Sequence, residues 1–113
     1  MVALSAQYIL NRKEGDKMII LHIEHIVMNF DEWKASFDTY EAFRQQSGVQ
    51  RYRVSRPTDN SDVVMIDLEF DSLAEAEALL GGVQQVWQRA TGTLIQNPQW
   101  RFCEVLETRE LQL

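Results

Sequence analysis

Cysteine occurs once in the 113 residues, as Cys103. An internal disulfide is therefore excluded, and there is no thiol cluster to hold a structural metal. Such sparing use of cysteine suits a reducing cytoplasm, and Cys103 reads as a small buried packing residue. Proline occurs twice and glycine five times, so the chain has no low-complexity linker and each of these residues marks a specific turn or stop. No apolar run reaches the roughly 20 residues that span a bilayer. The first ten residues lack the charged leader and small-residue cleavage pattern of a secretory signal. Basic residues are also in the minority, 11 against 17 acidic ones, for a net charge of -6. A surface that repels polyanions on average is a poor partner for nucleic acid. Also missing are a phosphate loop, a dinucleotide-binding glycine fingerprint, a zinc-protease helix and a nucleophile elbow. These absences leave no expectation of a cofactor or a metal.

The chain is 45% hydrophobic and 25% charged, a balance that fits one globular domain. Residues 11–17 are polar and turn-forming, and they separate residues 1–17, an N-terminal extension or arm, from a single domain over residues 18–113. Residues 19–27 and 63–70 alternate as strands. Val64, Ile66, Leu68 and Phe70 share one face, with Val63, Met65, Asp67 and Glu69 on the other. The same alternation puts His25 on the helix side of the first strand. Further strands are expected at 49–55 and, after Asn97-Pro98 has stopped the chain, at 100–106.

Asn29 with Glu32 and Ser72 with Glu75 have the spacing of helix-start capping boxes. Behind Asn29, the residues Phe30, Trp33, Phe37, Tyr40 and Arg44 form one aromatic helical stripe that ends at Gly48. Behind Ser72, Leu73, Ala76, Leu80, Val83, Trp87 and Ala90 do the same, ending at Gly92. Gly81-Gly82 is expected to break that second helix, because each interior glycine costs about 1 kcal/mol against alanine. The order β-α-β-β-α-β is the ferredoxin-like plan: an α+β fold with an antiparallel four-stranded sheet and both helices on one face.

The helix-free face would then carry Ile20, Ile26, Val63 and Met65 among Arg51, Arg53, Asp67 and Glu69. That mixture is too apolar for water and too charged for a dry core, so a homodimer with sheets face to face is expected. His22 and Glu24 on this face, with Asp67 and Glu69, have metal-ligand chemistry. The nearby arginines make charge pairing the simpler outcome.

Between helices and sheet, Trp33, Phe37, Tyr40, Phe70 and Trp87 border an aromatic-rich space with His25 and Arg44 as its polar handles. This composition suits a site for a flat, largely apolar small molecule, and it equally suits an ordinary core. The imidazole of His25 is the one interior group suited to acid, base or hydrogen-bonding work.

Residues 25–34, HIVMNFDEWK, followed by Phe37-Asp38 and Arg44, resemble a family opening of the form H-x-V-x-[DN]-[FY]-x-x-W-K. Gly48-Val49, Arg56 before Asp59-Asn60, Glu69-Phe70-Asp71-Ser72 and Pro98 fit the same pattern. Over about residues 18–108 the chain resembles the antibiotic-biosynthesis-monooxygenase-like group of dimeric α+β barrels. That resemblance implies a homodimer and a helix-sheet pocket, within a group that includes cofactor-independent oxygenases of polycyclic aromatic substrates, polyketide cyclases, haem-degrading enzymes and proteins of unassigned role. The asparagine, histidine and tryptophan set of the haem-degrading members has no match here, and the second helix has no histidine, so haem breakdown is not expected. In the oxygenase reading His25 orients or deprotonates a phenolic substrate while Trp33, Phe37, Phe70 and Trp87 hold the ring. The alternative is a dimer that binds a ligand, or serves a stress response, without chemistry.

Overall fold

The computed structural model describes residues 18–112; the expected arm at residues 1–17 lies outside the described residues. Seven elements follow in order: β1 (Ile19–Val27), α1 (Phe30–Asp38), α2 (Glu41–Gln46), β2 (Arg51–Ser55), β3 (Val63–Phe70), α3 (Leu73–Ala90) and β4 (Ile95–Glu104). The strands form one sheet in the order β2-β3-β1-β4, with every pairing antiparallel. This is the ferredoxin-like α+β fold. Strict alternation sets the layering: Leu21, Ile23, Val64, Ile66, Leu68 and Phe70 are all buried, each at 4% exposure or less. They pack against Trp33 of α1 and Ala76, Leu79, Leu80 and Trp87 of α3. A one-residue slip in either central strand would turn this set toward the opposite face, so the core itself specifies the register.

Both helix starts are capped as their sequences imply. Asn29 Oδ1 accepts from the Glu32 amide at 3.0 Å, and Ser72 Oγ accepts from the Glu75 amide at 3.2 Å. The interruptions, however, fall in the opposite helix from the one expected. The first stripe is not one helix: the chain breaks at Thr39-Tyr40, where the Thr39 hydroxyl and amide both turn back to the Ser36 carbonyl, at 2.6 and 3.1 Å. A threonine that bonds locally competes with helix continuation. The Phe37 carbonyl, which loses its ordinary helical partner at the break, accepts from Arg44 Nη2 at 2.8 Å.

Conversely, α3 runs unbroken through Gly81-Gly82. Burial of Leu79, Leu80 and Trp87 outweighs the propensity penalty of two glycines. Gly82 has a packing role, since a Cβ there would meet the Phe43 ring at 2.9 Å, whereas Gly81 faces open space. The stops at Gly48 and Gly92 hold, with φ of 95° and 88°.

The last strand starts at Ile95, not at residue 100, and Asn97-Pro98 lies within it. Proline is tolerated because β4 is an edge strand and these two residues form a bulge. Glu24 pairs with Gln99 and Ile26 with Gln96, so Asn97 and Pro98 together stand opposite the single residue His25. Asn97 takes φ 55° to make the bend. β2 likewise starts at Arg51 rather than 49.

On the helix-free face, Ile20, His22, Glu24, Ile26, Val63, Met65, Asp67 and Glu69 are all half-buried in the single chain. Cys103 pairs with Ile20 there and is half-buried, not part of the core. Arg51 Nε meets Glu69 at 2.7 Å. His22 lies between two carboxylates, with Nδ1 2.8 Å from Asp67 and Nε2 3.0 Å from Glu24. Both contacts are complete only when both nitrogens carry hydrogen. Burial works against the charged ring, but the bonds to Asp67 and Glu24 and their negative charge outweigh it, and the His22 pKa is raised.

Candidate small-molecule site

A cavity of about 420 Å³ lies between the sheet and the helices. Its floor is built by β1 and β3 through Ile23, His25, Ile66 and Leu68; α1 and α2 form one wall and α3 the other. The volume falls within the range of ligand pockets, roughly 300–1,000 Å³. Five of the aromatic and charged residues singled out from sequence line it: Trp33, Phe37, Tyr40, Arg44 and Trp87, together with His25. Phe70 does not. It pairs with Ile19 at the opposite end of the β1–β3 ladder from His25, fully buried in the core. Alternation identified its face correctly but carries no information about position along the strand.

His25 is 4% exposed and meets Trp33 edge-on, with ring centroids 5.6 Å apart. Trp33 in turn stacks on Phe37 at 5.0 Å, and the Arg44 guanidinium lies 3.7 Å from the Phe37 centroid. The wall is thus one continuous run of flat groups from the strand histidine to the helix arginine. Burial pushes the His25 pKa down, against smaller opposing contributions from the Ile26 and His25 backbone. The ring is accordingly neutral at physiological pH. Its Nδ1 is buried and has no hydrogen-bond partner among the described residues, and the residue lines the cavity. The bulge in β4 is what sets this residue apart: the two-for-one register occurs at His25 alone along that ladder.

Arg44 is 6% exposed, an unusual depth for a guanidinium. Besides the Phe37 carbonyl, Nη2 meets Glu41 at 3.1 Å, and the guanidinium lies 3.7 Å from the Phe37 ring centroid and 5.0 Å from that of Tyr52, two rings that meet edge-on. Tyr52 donates to the same Glu41 carboxylate at 2.9 Å. The Tyr52 bond and then Arg44 hold the Glu41 pKa down, while that bond raises the pKa of Tyr52. The Arg44 Nε has no partner among the described residues.

Residues that the sequence reading did not assign to the site also line it: Ser36 of α1, Phe43 of α2, and Gly82, Val83, Gln85, Val86, Arg89 and Ala90 of α3. Gly82, Val86 and Arg89 are spaced by four and three, a stripe parallel to Val83, Trp87 and Ala90. The spacing was visible in the sequence, but glycine and arginine do not mark an apolar face.

No protein-family model matches the chain, and no curated protein matches it. Solved structures do. One is a dimeric ferredoxin-like protein from an uncultured marine organism, at 12% identity and TM-score 0.60, covering 83% of this chain and all of that one. Another is a protein of unknown function from Nitrosomonas europaea, at 14% identity and TM-score 0.64, covering 85% of this chain and 96% of that one. At such identities the likeness is one of fold, and it agrees with the strand order and layering described above.

Proposed function

We propose that this chain is a homodimeric α+β barrel of the antibiotic-biosynthesis-monooxygenase-like group, and that it binds a flat aromatic or polyketide-like molecule between sheet and helices. The observation that carries the reading is the cavity: about 420 Å³ walled by Trp33, Phe37 and Trp87, with the buried, neutral imidazole of His25 in its floor. The imidazole gives an otherwise apolar floor a group suited to acid, base or hydrogen-bonding work on a ligand. In the catalytic form of the reading, His25 accepts the proton of a phenolic substrate, giving an electron-rich anion that dioxygen can oxidise without a cofactor. Its lowered pKa keeps the ring in the form that accepts a proton. The aromatic wall holds the ring and excludes water.

The dimer rests on the helix-free face, whose Ile20, Ile26, Val63 and Met65 are half-buried in one chain and would be covered by a twin. The ferredoxin-like neighbour described as dimeric supports this arrangement. The test of chemistry is oxygen uptake with anthrone-like and quinol substrates. Turnover that disappears in His25→Ala, while tryptophan quenching by the same compound persists, supports the oxygenase role. Turnover retained in that variant eliminates it, and quenching without any turnover in the unmodified protein leaves binding alone.

A further inference from the structure

We infer that the cavity takes its aromatic ligand as a carboxylate, with the ring inward against Trp33 and Trp87 and the acid group at the mouth beside Arg89. The inference rests on the binding reading above and adds the charge class of the ligand. Acidic residues outnumber basic ones 17 to 11 in the chain, yet the cavity lining among the described residues includes Arg44 and Arg89 and no aspartate or glutamate. An apolar cavity in an acidic protein whose charged lining residues are both cations is electrostatically selective, since low-dielectric walls concentrate the field of the charges that line them.

The two arginines differ in availability. Arg44 is buried and engaged with the Phe37 carbonyl and with the Glu41 carboxylate, so its charge is largely balanced within its own wall. Arg89 is exposed in the last turn of α3 and forms no ion pair among the described residues. With no partner among the described residues, its fork of donors can hold a planar carboxylate through two parallel hydrogen bonds. The carbonyl end of α3 carries about half a negative charge and would repel an anion; the full charge of Arg89 in that same turn reverses the balance. Ser36, Tyr40 and Gln85 also line the cavity and carry neutral donors. One guanidinium with neutral donors matches a planar monoanion better than a phosphate dianion, which calls for several cations.

The test uses the full chain and two probes of the same ring, 2-naphthoate and its methyl ester, titrated by calorimetry and tryptophan quenching. We expect the acid to bind about tenfold more tightly than the ester, a preference that shrinks as salt is added. Arg89→Gln should weaken the acid about fivefold and leave the ester unchanged, and Arg89→Lys should keep most of the preference, which separates lost charge from altered packing. Equal affinity of acid and ester in the unmodified protein, or equal losses for both in Arg89→Gln, would overturn the charge inference while leaving the binding site intact. Binding of neither probe would instead remove the binding reading on which it stands.

Discussion

Replacing Arg44 with methionine removes a charge from the cavity wall while keeping an unbranched side chain there, so it measures what that buried cation contributes. Four contacts disappear, the most distant of them with the Tyr52 ring, 5.0 Å away. The bond from Nη2 to the Phe37 carbonyl, at 2.8 Å, is of the charged kind that contributes about 1.5–3 kcal/mol. The stacking on Phe37 at 3.7 Å adds about 0.5–2 kcal/mol, depending on desolvation. The pair with exposed Glu41 adds little because water screens it. Against these stands the guanidinium's own desolvation, with Nε unpartnered among the described residues, whose relief returns about 1–3 kcal/mol. The net expectation is a destabilisation of about 2 kcal/mol, equivalent to a Tm lower by about 10 °C in a domain this small. The Phe37 carbonyl keeps the Tyr40 amide at 3.2 Å, so the variant should still fold. Urea denaturation of Arg44→Met, Arg44→Lys and the unmodified protein measures the difference directly. Lysine, unable to lie flat on the Phe37 ring, should recover less than half of the loss. A methionine variant equal to or more stable than the unmodified protein would refute the reasoning and show that desolvation exceeds everything the cation gains.

The glycine pair of α3 gives a second expectation: Gly81→Ala, into open space, should stabilise by about 0.5–1 kcal/mol. Gly82→Ala should gain less because the Phe43 ring must give way; equal gains in the two variants would contradict the packing role assigned to Gly82. The two histidines should have opposite effects on the pH dependence of stability. The raised pKa of His22 means its contribution is full below the unfolded value of about 6.5 and is lost as pH rises through the folded value. The lowered pKa of His25 means the fold loses stability as pH falls below about 6.5 toward the folded value. In denaturation curves at pH 5 to 8, His22→Gln should lose most relative to the unmodified protein at the acid end, and His25→Phe should be less acid-sensitive. Parallel curves for all three proteins would show that neither ring titrates differently on folding. Finally, Ile26→Glu with Met65→Arg, placing charge in the middle of the helix-free face, should convert a dimer into a monomer in light scattering at micromolar concentration, whereas a monomeric unmodified protein would dispose of the face-to-face assembly.

What could be read from the chain follows from how local each signal is. β1 and β3 alternate without exception, so their limits, their buried faces and the helix-side position of His25 were legible. The caps at Asn29 and Ser72 are contained within four residues and were equally clear. The break at Thr39-Tyr40 was not, because Phe37, Tyr40 and Arg44 continue the helical spacing straight across it; the spacing brings Arg44 near Phe37 whether or not the helix is continuous. Gly81-Gly82 and Asn97-Pro98 misled for a shared reason. Both are breakers by intrinsic preference, and in both places tertiary context prevails: the buried face of α3 in one case, the tolerance of an edge strand for a bulge in the other. The cavity was legible as a composition but not as an outline. Its aromatic wall follows from the helical stripe, whereas the position of Phe70 along its strand and the place of Arg89 in the lining do not.

The most direct test of the central claim, that the helix-sheet space is a ligand site and not slack packing, is a calorimetric titration of flat aromatic compounds into two proteins: the unmodified chain and Val83→Phe, in which the cavity is filled from α3. Saturable binding of about one ligand per subunit to the first, with none to an equally folded second, is the predicted result. No saturable binding to the unmodified chain, or the same binding to both, would contradict it.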